Sequence, residues 1–343
     1  MQYDYQDYLQ LKEQHPKKYA RELAQLMNIS EAELSDLRVG HEARRLTGDP
    51  RQILAALESV GETKSITRNE YAVHEQVGFY RNQRIGGHAG VVLNPRGLDL
   101  RVFPEQWASV FSFIEQTARG ERQSIQFYDR QGDAVLKVYG TEHTDWTAWQ
   151  ATVERFTAAE NVPLALTPYA APASDVVVDA ARLEQEWREM QDVHEFFPLL
   201  KRHNLTRQQA FRHVSDDLAC LVDNQALATL LNAAHQDGNE IMIFVGNRGC
   251  VQIFTGVIEK VVPMDHWLNV FNKTFTLHLQ GNTIAESWVT RKPTRDGIVT
   301  SLELFAADGT QIAQLFGQRT EGQPEQAQWR QQVTSLVTPG AVA

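Results

Sequence analysis

The stretch Leu302-Glu303-Leu304-Phe305-Ala306-Ala307-Asp308-Gly309 follows a pattern that also stands 177 residues earlier, at Ile125-Gln126-Phe127-Tyr128-Asp129-Arg130-Gln131-Gly132. Each stretch is typical of the first arm and turn of a β-hairpin, because apolar residues alternate with polar ones and a glycine supplies the positive φ of the turn. Both hairpins continue to a second glycine, Gly140 in one and Gly317 in the other. The same strand pair is therefore predicted twice in the chain.

A second pair of matching segments has almost the same spacing. Residues 28–33 and 204–209 lie 176 residues apart, and each segment contains a capping box, Ser30 with Glu33 in one and Thr206 with Gln209 in the other. The two pairs of matching segments lie about a hundred residues apart in the chain, yet their offsets, 176 and 177 residues, are nearly the same. We therefore interpret the chain as a tandem duplication.

The order of predicted elements indicates the fold class. Each copy is predicted to begin with helices, over 8–27 and 180–201, and then to become rich in strands, as at 240–245 and 251–254. That order favours an α+β fold, in which each half has N-terminal helices and a large antiparallel β-sheet, over a doubly wound parallel sheet. From a Pro- and Ala-rich stretch near mid-chain, we predict an N-terminal repeat over 1–160, a connection over 161–178 and a C-terminal repeat over 179–343.

The composition limits the classes of partner. The chain has 343 residues, 42% of them hydrophobic, and a net charge of −10, so it can form a core and would repel nucleic acid unless its cations were clustered. The helix pairs expected at 23–37 and 197–211 look like helix-turn-helix motifs, but the first carries Glu31, Glu33 and Asp36 where DNA phosphates would lie. With neither a signal-like start nor an apolar run that could span a bilayer, the sequence predicts a cytoplasmic protein without stable membrane insertion.

The motifs of the common enzyme classes are absent from the sequence. There is no nucleophile elbow, Walker loop, His-Glu-x-x-His motif or dinucleotide fingerprint, and none of the eleven histidines forms a helical i, i+4 pair. A single histidine suffices for haem, which needs one axial ligand, an apolar slot and cations for two propionates. Spacing alone favours a packed or surface role for His194.

Three segments carry a specific resemblance. They are Trp187-Arg-Glu-Met-Gln-Asp-Val-His-Glu-Phe-Phe-Pro-Leu-Leu-Lys-Arg-His203, Leu98-Asp-Leu-Arg-Val-Phe-Pro104 and Ala313-Gln-Leu-Phe-Gly-Gln-Arg319. With them the chain resembles, along nearly its whole length, the bacterial haemin-degrading and haem-utilisation family of HemS, HmuS and ChuS. The resemblance implies two similar α+β halves and one haem held by the C-terminal half, with a contribution from the N-terminal half.

The resemblance also implies roles for individual residues. His194 would be the proximal iron ligand, oriented by Glu195 or a backbone carbonyl, and Arg101 would lie over the distal face. Residues expected to hold the propionates are Arg207, Lys292, Gln314 and Arg319. Residues expected to line the porphyrin are Phe103, Met242, Phe244 and Phe316. Some relatives are expected to have tyrosine in place of Phe316, a departure that removes one hydroxyl and keeps the apolar wall.

The duplication provides an internal comparison for these roles. By the two offsets, His194 corresponds to Lys18, while the counterparts of Gln314 and Phe316 are Lys137 and Tyr139. The first half therefore lacks the ligand, and we predict one haem per chain. His74, which is expected at the edge of a strand, is the alternative ligand for a second, weaker site.

The resemblance implies a cytoplasmic protein of haem-iron acquisition that degrades haem oxidatively and releases iron. Arg101 would then stabilise charge on dioxygen, and electrons would come from an external donor, since the sequence has no nicotinamide or flavin fingerprint. A haem importer and a reductase are the implied partners. Two other readings stay open: a carrier that passes haem on unchanged, and an acidic scaffold without a cofactor.

Overall fold

The computed structural model describes residues 2–160, 162–171 and 176–337. Positions 161 and 172–175 of the predicted connection lie outside the described residues, and the boundaries 1–160, 161–178 and 179–343 stay a prediction. The chain groups into two compact units. Unit 1 comprises Met1–Arg68, His74–Ala170 and Gly246–Gln252, and unit 2 comprises Asn69–Val73, Ala171–Val245 and Ile253–Ala343.

Unit 1 is built from short helices around an antiparallel sheet. Its helices are α1 (Tyr5–Gln14), α2 (Ala20–Met27), α3 (Glu31–Leu37), α4 (Pro50–Ala56) and α5 (Trp146–Phe156), with 3-10 turns at Leu57–Val60 and Pro104–Gln106. Its strands are β1 (Ala43–Leu46), β2 (Gly61–Arg68), β3 (Ala72–Phe79), β4 (Gln83–Ile85), β5 (Gly90–Leu93), β6 (Asp99–Val102), β7 (Trp107–Thr117), β8 (Gly120–Asp129) and β9 (Ala134–Thr144). Six of them lie in the order β1-β7-β8-β9-β2-β3, while β4, β5 and β6 form an antiparallel meander.

Unit 2 repeats this plan. Its helices are α6 (Ala180–Arg188), α7 (Phe196–His203), α8 (Arg207–Phe211), α9 (Ala226–Asp237) and α10 (Ala327–Thr334), with 3-10 turns at Val193–Glu195 and Gly281–Thr283. Its strands are β10 (Ala219–Val222), β11 (Ile241–Gly246), β12 (Cys250–Gly256), β13 (Val261–Met264), β14 (Trp267–Phe271), β15 (Phe275–Gln280), β16 (Ile284–Thr294), β17 (Gly297–Ala306) and β18 (Gln311–Gly317). Their orders, β10-β16-β17-β18-β11-β12 and β13-β14-β15, match those of unit 1 strand for strand.

The observed topology confirms the predicted α+β duplication. Both predicted hairpins are present, β8–β9 and β17–β18, and their turn glycines Gly132 and Gly309 have φ of +88° and +84°. The two capping boxes are formed as well, at the starts of α3 and α8. Each follows a helix that ends on a left-handed asparagine, Asn28 or Asn204, which closes α2 or α7.

Two long helices predicted from the sequence are interrupted in the structure. The one expected over 8–27 is split into α1 and α2 around Pro16, which restricts His15 and has no amide to continue the helix. The one expected over 180–201 ends at Arg188, and Asp192 in extended conformation then begins a separate 3-10 turn. In the described ranges, every helix is too short or too polar to span a bilayer.

The main sheet of unit 2 is buried differently on its two faces. One face packs against α9 and α10 through a large apolar cluster that includes Ile243, Leu302 and Trp329. The opposite face is covered at one end by α6, α7 and α8, through an aromatic cluster in which Trp187 and Phe211 contact Phe196. The rest of that second face carries half-buried side chains, and it is the place where the candidate site lies.

Candidate functional site

Four of the residues predicted to contact haem lie together on the second face of the unit 2 sheet. Met242 pairs with Phe316, and Phe244 pairs with Gln314, across β11 and β18. All four are half-buried, and the rings of Phe244 and Phe316 lie 5.1 Å apart between centroids. Strand alternation accounts for this arrangement, because the residues between them point into the core. The result is an apolar surface with one amide group beside it.

A buried ion cluster adjoins this surface. The carboxylate of Glu303, which pairs with Gln314 across β17 and β18, accepts hydrogen bonds from Nε of Arg207 at 2.8 Å and from Nη2 at 2.7 Å. The same carboxylate accepts from Nζ of Lys292 at 3.1 Å. The side chain of Glu303 is 0% exposed, that of Lys292 is 3% and that of Arg207 is 23%. Sequence reasoning expected two free cations and missed the carboxylate between them.

Burial and the neighbouring charges together set the pKa values of Glu303 and Lys292 in this cluster. Burial alone would raise the pKa of Glu303, but Arg207 and Lys292 outweigh that effect and lower the pKa to about 2. Burial, opposed by Glu303, lowers the pKa of Lys292 to about 8. At neutral pH the cluster therefore carries one net positive charge, and only Arg207 presents part of it to solvent. Such a cluster attracts an anionic group at its exposed edge.

The aromatic cluster holds both cations in place. The guanidinium of Arg207 lies 4.9 Å from the ring centroid of Phe196, and Nζ of Lys292 lies 4.7 Å from the same ring. Lys292 also faces the indole of Trp187. Cations over aromatic faces are stabilised by the ring quadrupole. The helices α6 and α7 thus fix the ion cluster from the side opposite the sheet.

His194 lies on the exposed surface of unit 2. It is the middle residue of the 3-10 turn Val193–Glu195, and its side chain is 88% exposed. The Asp192 side chain caps this turn: its Oδ1 accepts from the backbone N–H of His194 at 2.8 Å and lies 2.6 Å from Nδ1 of the ring. Within the described ranges Nε2 has no hydrogen-bond partner. The imidazole is therefore fixed through Nδ1, and Nε2 is available to a ligand.

Asp192 replaces the orienting group that the sequence suggested. Glu195 or a backbone carbonyl was expected to orient the ring, but the Glu195 carboxylate accepts from the backbone of Gln191 at 3.4 Å and the partner of Nδ1 is the Asp192 side chain. The difference follows from the turn: Asp192 is extended, with φ −150° and ψ 140°, and its short side chain folds back over the next two residues. An aspartate two residues before a histidine at a helix start was the signal that sequence reasoning missed.

Arg319 lies near the same turn. The pKa of Asp192 is lowered, mainly by the hydrogen bond from the His194 backbone and further by the His194 ring and the charge of Arg319. The turn is also attached to the β16–β17 hairpin, because the N–H of Arg295 donates to the carbonyl of Gln191 at 2.9 Å. The positive charge of Arg319 therefore acts on the carboxylate that is bonded to the His194 ring.

The two predicted residues of unit 1 lie on β6 and just after it. Arg101 is 35% exposed and forms an ion pair with Asp99, two residues earlier on the same strand face. Burial raises the pKa of Asp99, although Arg101 opposes that effect. Phe103 is half-buried, and its N–H donates to the carbonyl of Gly249 at 2.9 Å. The sequence analysis did not predict the ion pair with Asp99, which fixes the position of the Arg101 guanidinium.

The comparison with protein families agrees with the duplicated plan. A family model described as the haemin-degrading HemS.ChuX domain matches the chain twice, at residues 28–156 and 204–336. The chain belongs to this family. The two matched HemS segments begin at the same two asparagines that close α2 and α7.

Relatives and solved structures of the HemS family match nearly the whole chain. The hemin transport protein HmuS of Yersinia pestis is 64% identical over 340 residues, which cover 99% of each chain. The structure of the heme degrading enzyme ChuS of Escherichia coli O157:H7 superposes with a TM-score of 0.94 at 68% identity, covering 97% of this chain and 98% of that one. Holo-PhuS of Pseudomonas aeruginosa, a heme-binding protein, gives a TM-score of 0.94 at 44% identity, with coverage of 97% and 98%.

His74 is not placed as the sequence suggested. It was expected at a strand edge as an alternative iron ligand, but its side chain is 0% exposed and lies inside unit 1. The amide nitrogen of Gln252 donates to its Nδ1 at 3.0 Å. Alternation along β3 explains the burial, because His74 has the same orientation as the buried residues Ala72 and Gln76. A haem would reach this ring only if unit 1 opened.

Unit 1 has different chemistry at the positions that correspond to the candidate site. Lys137, the counterpart of Gln314, forms a buried ion pair with Glu31. Glu31 stands 176 residues before Arg207, so the charge at this helix position is reversed. Burial alone would lower the pKa of Lys137, but the negative charge of Glu31 opposes that effect, and the pKa lies above its usual range. This HemS repeat therefore uses the equivalent face for an internal ion pair.

Proposed function

We propose that this chain binds one haem in unit 2, with Nε2 of His194 as the axial ligand, and breaks the macrocycle oxidatively to release iron. The observation that carries the proposal is the exposed imidazole, which Asp192 holds by Nδ1 and which leaves Nε2 for a metal. Support comes from relatives described as a hemin transport protein, a heme-binding protein and a heme oxygenase.

The residues of unit 2 fit the chemistry of haem. The half-buried face with Met242, Phe244 and Phe316 suits an apolar macrocycle, and Gln314 stands at its polar side. Arg207 and Arg319 suit the propionates, because both retain exposed area and positive charge. Lys292 acts through the buried cluster, since its ammonium is bonded to Glu303 and Thr290.

Bound haem supplies the iron chemistry once an external donor has reduced it. The residue that we propose for the ring-opening step is Arg101, whose permanent charge would stabilise negative charge on the reacting oxygen. Because Arg101 is paired with Asp99, its guanidinium has a defined orientation before any ligand arrives. We place this activity in the cytoplasm, with a haem importer and a reductase as partners.

Arg101→Ala separates an enzyme from a carrier. We expect this variant to bind haemin within about threefold of the wild-type affinity, and to lose about 10²–10³-fold in the rate of ring cleavage. The measurement is bleaching of the Soret band after a reductant is added in air. Cleavage by Arg101→Ala at the wild-type rate would remove the catalytic role of this residue.

The second candidate function is a carrier that transfers haem unchanged. The observation that favours it is the high exposure of His194, because a haem bound at an exposed side chain is accessible to an acceptor protein. Persistence of the Soret band of the wild-type complex under reductant and air would support the carrier and contradict the enzyme.

A further inference from the structure

One carboxylate oxygen serves both the backbone and the ring of His194. Oδ1 of Asp192 accepts from the His194 N–H at 2.8 Å and lies 2.6 Å from Nδ1 of the same residue. The first bond is the cap of the 3-10 turn, so the position of the oxygen is set by the backbone. The ring is therefore bonded to an acceptor whose place does not depend on distant packing.

We propose that Asp192 is a positioning residue for the metal-ligand bond, which it both orients and strengthens. An ionised carboxylate only accepts, so Nδ1 must carry the proton and the lone pair must lie on Nε2. The negative charge also increases the electron donation of Nε2 to a bound metal. This inference rests on the proposed function, in which His194 is the axial ligand.

Capping alone does not require a carboxylate. Asparagine is as good an N-cap as aspartate, and α6 of the same unit begins with a comparable cap, Asp179, which accepts from the N–H of Arg182 at 3.1 Å. No histidine ring is bonded to Asp179 in the described ranges. The two aspartates thus differ mainly in the imidazole that is bonded to Asp192. The charge of Arg319, two residues after β18, lowers the pKa of this carboxylate slightly, and the Glu195 carboxylate accepts from the backbone of Gln191.

The test compares Asp192→Asn with Asp179→Asn. Both substitutions keep a capping acceptor and remove one negative charge from an exposed helix start. They should therefore have similar effects on the stability of the helix start and the same effect on the net charge. The first readout needs no haem: the ¹⁵N shifts of the His194 ring report its tautomer in the ligand-free protein. We expect the Nδ1–H tautomer in the wild type and in Asp179→Asn, and a smaller share of that tautomer in Asp192→Asn, because the amide oxygen that keeps the cap is a weaker acceptor than a carboxylate.

Further readouts use haemin as the probe. For Asp192→Asn we expect a dissociation constant about 10–100-fold weaker, a higher midpoint potential of the bound iron and a lower iron–histidine stretching frequency in the reduced complex. Asp179→Asn should match the wild type in all three.

Two failures are distinguishable. If His194→Ala changes the haemin spectrum while Asp192→Asn behaves like Asp179→Asn in tautomer, affinity, potential and stretching frequency, then the role of Asp192 is overturned and the proposed function stands. If His194→Ala leaves the spectrum unchanged, the proposed function fails, and the inference about Asp192 fails with it.

Discussion

Substituting His194 by alanine is expected to remove the axial ligand of the bound haem. We expect the affinity for haemin to fall by at least about 100-fold, which corresponds to about 3 kcal/mol, together with a shift of the Soret band. The physical reason is that, in the proposed function, His194 is the single strong ligand to the iron, and the apolar face and the arginines would retain only the macrocycle and the propionates. Titration followed by absorbance measures both quantities.

The matched control is His213→Ala. His213 is another exposed histidine of unit 2, whose Nδ1 lies 2.7 Å from the carbonyl of Gln209, and it is not one of the residues of the proposed site. It should bind haemin like the wild type. A His194→Ala spectrum identical to that of His213→Ala would mean that another residue ligates the iron.

Substituting Glu303 by glutamine is expected to have the largest effect on stability. The change leaves Arg207 and Lys292 next to each other without their counter-ion, and the ammonium of Lys292 is buried while Arg207 reaches solvent only in part. Removing one partner of a buried ion pair costs about 3–5 kcal/mol in the free energy of unfolding. Urea denaturation of the haem-free protein measures this loss.

Glu286→Gln provides the comparison for Glu303→Gln. Glu286 lies on β16 of the same sheet and pairs with Arg212, but its side chain is 24% exposed. Because solvent screens this pair, its loss should cost about 1 kcal/mol or less. Equal losses for the two variants would contradict the assignment of a buried, interdependent cluster around Glu303.

The same cluster predicts a pH dependence of stability. The folded-state pKa of Glu303 is about 2, below the usual 4.5, so its stabilising contribution is complete above about pH 4.5 and is lost as the pH falls towards 2. The folded-state pKa of Lys292 is about 8, below the usual 10.5, so the cost of burying its charge is relieved as the pH rises from about 8 to 10.5. In Glu303→Gln the acid loss from this group should be absent.

Much of the fold follows from local signals in the sequence. Turn glycines, capping boxes and alternation are short-range patterns, and their repetition at one offset was enough to predict two equivalent α+β halves. The same alternation placed Gln314 and Phe316 on one face of β18. It also applies to β3, where it would have placed His74 in the interior had the buried face been known.

The ion cluster was beyond the reach of such patterns. Arg207 and Glu303 are 96 residues apart, and nothing in their neighbourhoods shows that they meet, since a buried pair is defined only when a helix packs on the sheet. The break between α6 and α7 was missed for a related reason: apolar spacing continues through 180–201, while Asp192 begins a new turn. The position of His194 thus depends on a capping residue that the periodicity does not reveal.

The most direct test is the stoichiometry of haemin binding by the wild-type chain. Titration of the purified protein, followed at the Soret band, should reach its end point at one haemin per chain, with a dissociation constant of about 1 μM or tighter, or about −8 kcal/mol. One equivalent bound through His194 would agree with a single site in unit 2. An end point at two equivalents would mean that unit 1 also binds, and no saturable binding would contradict the proposed haem function.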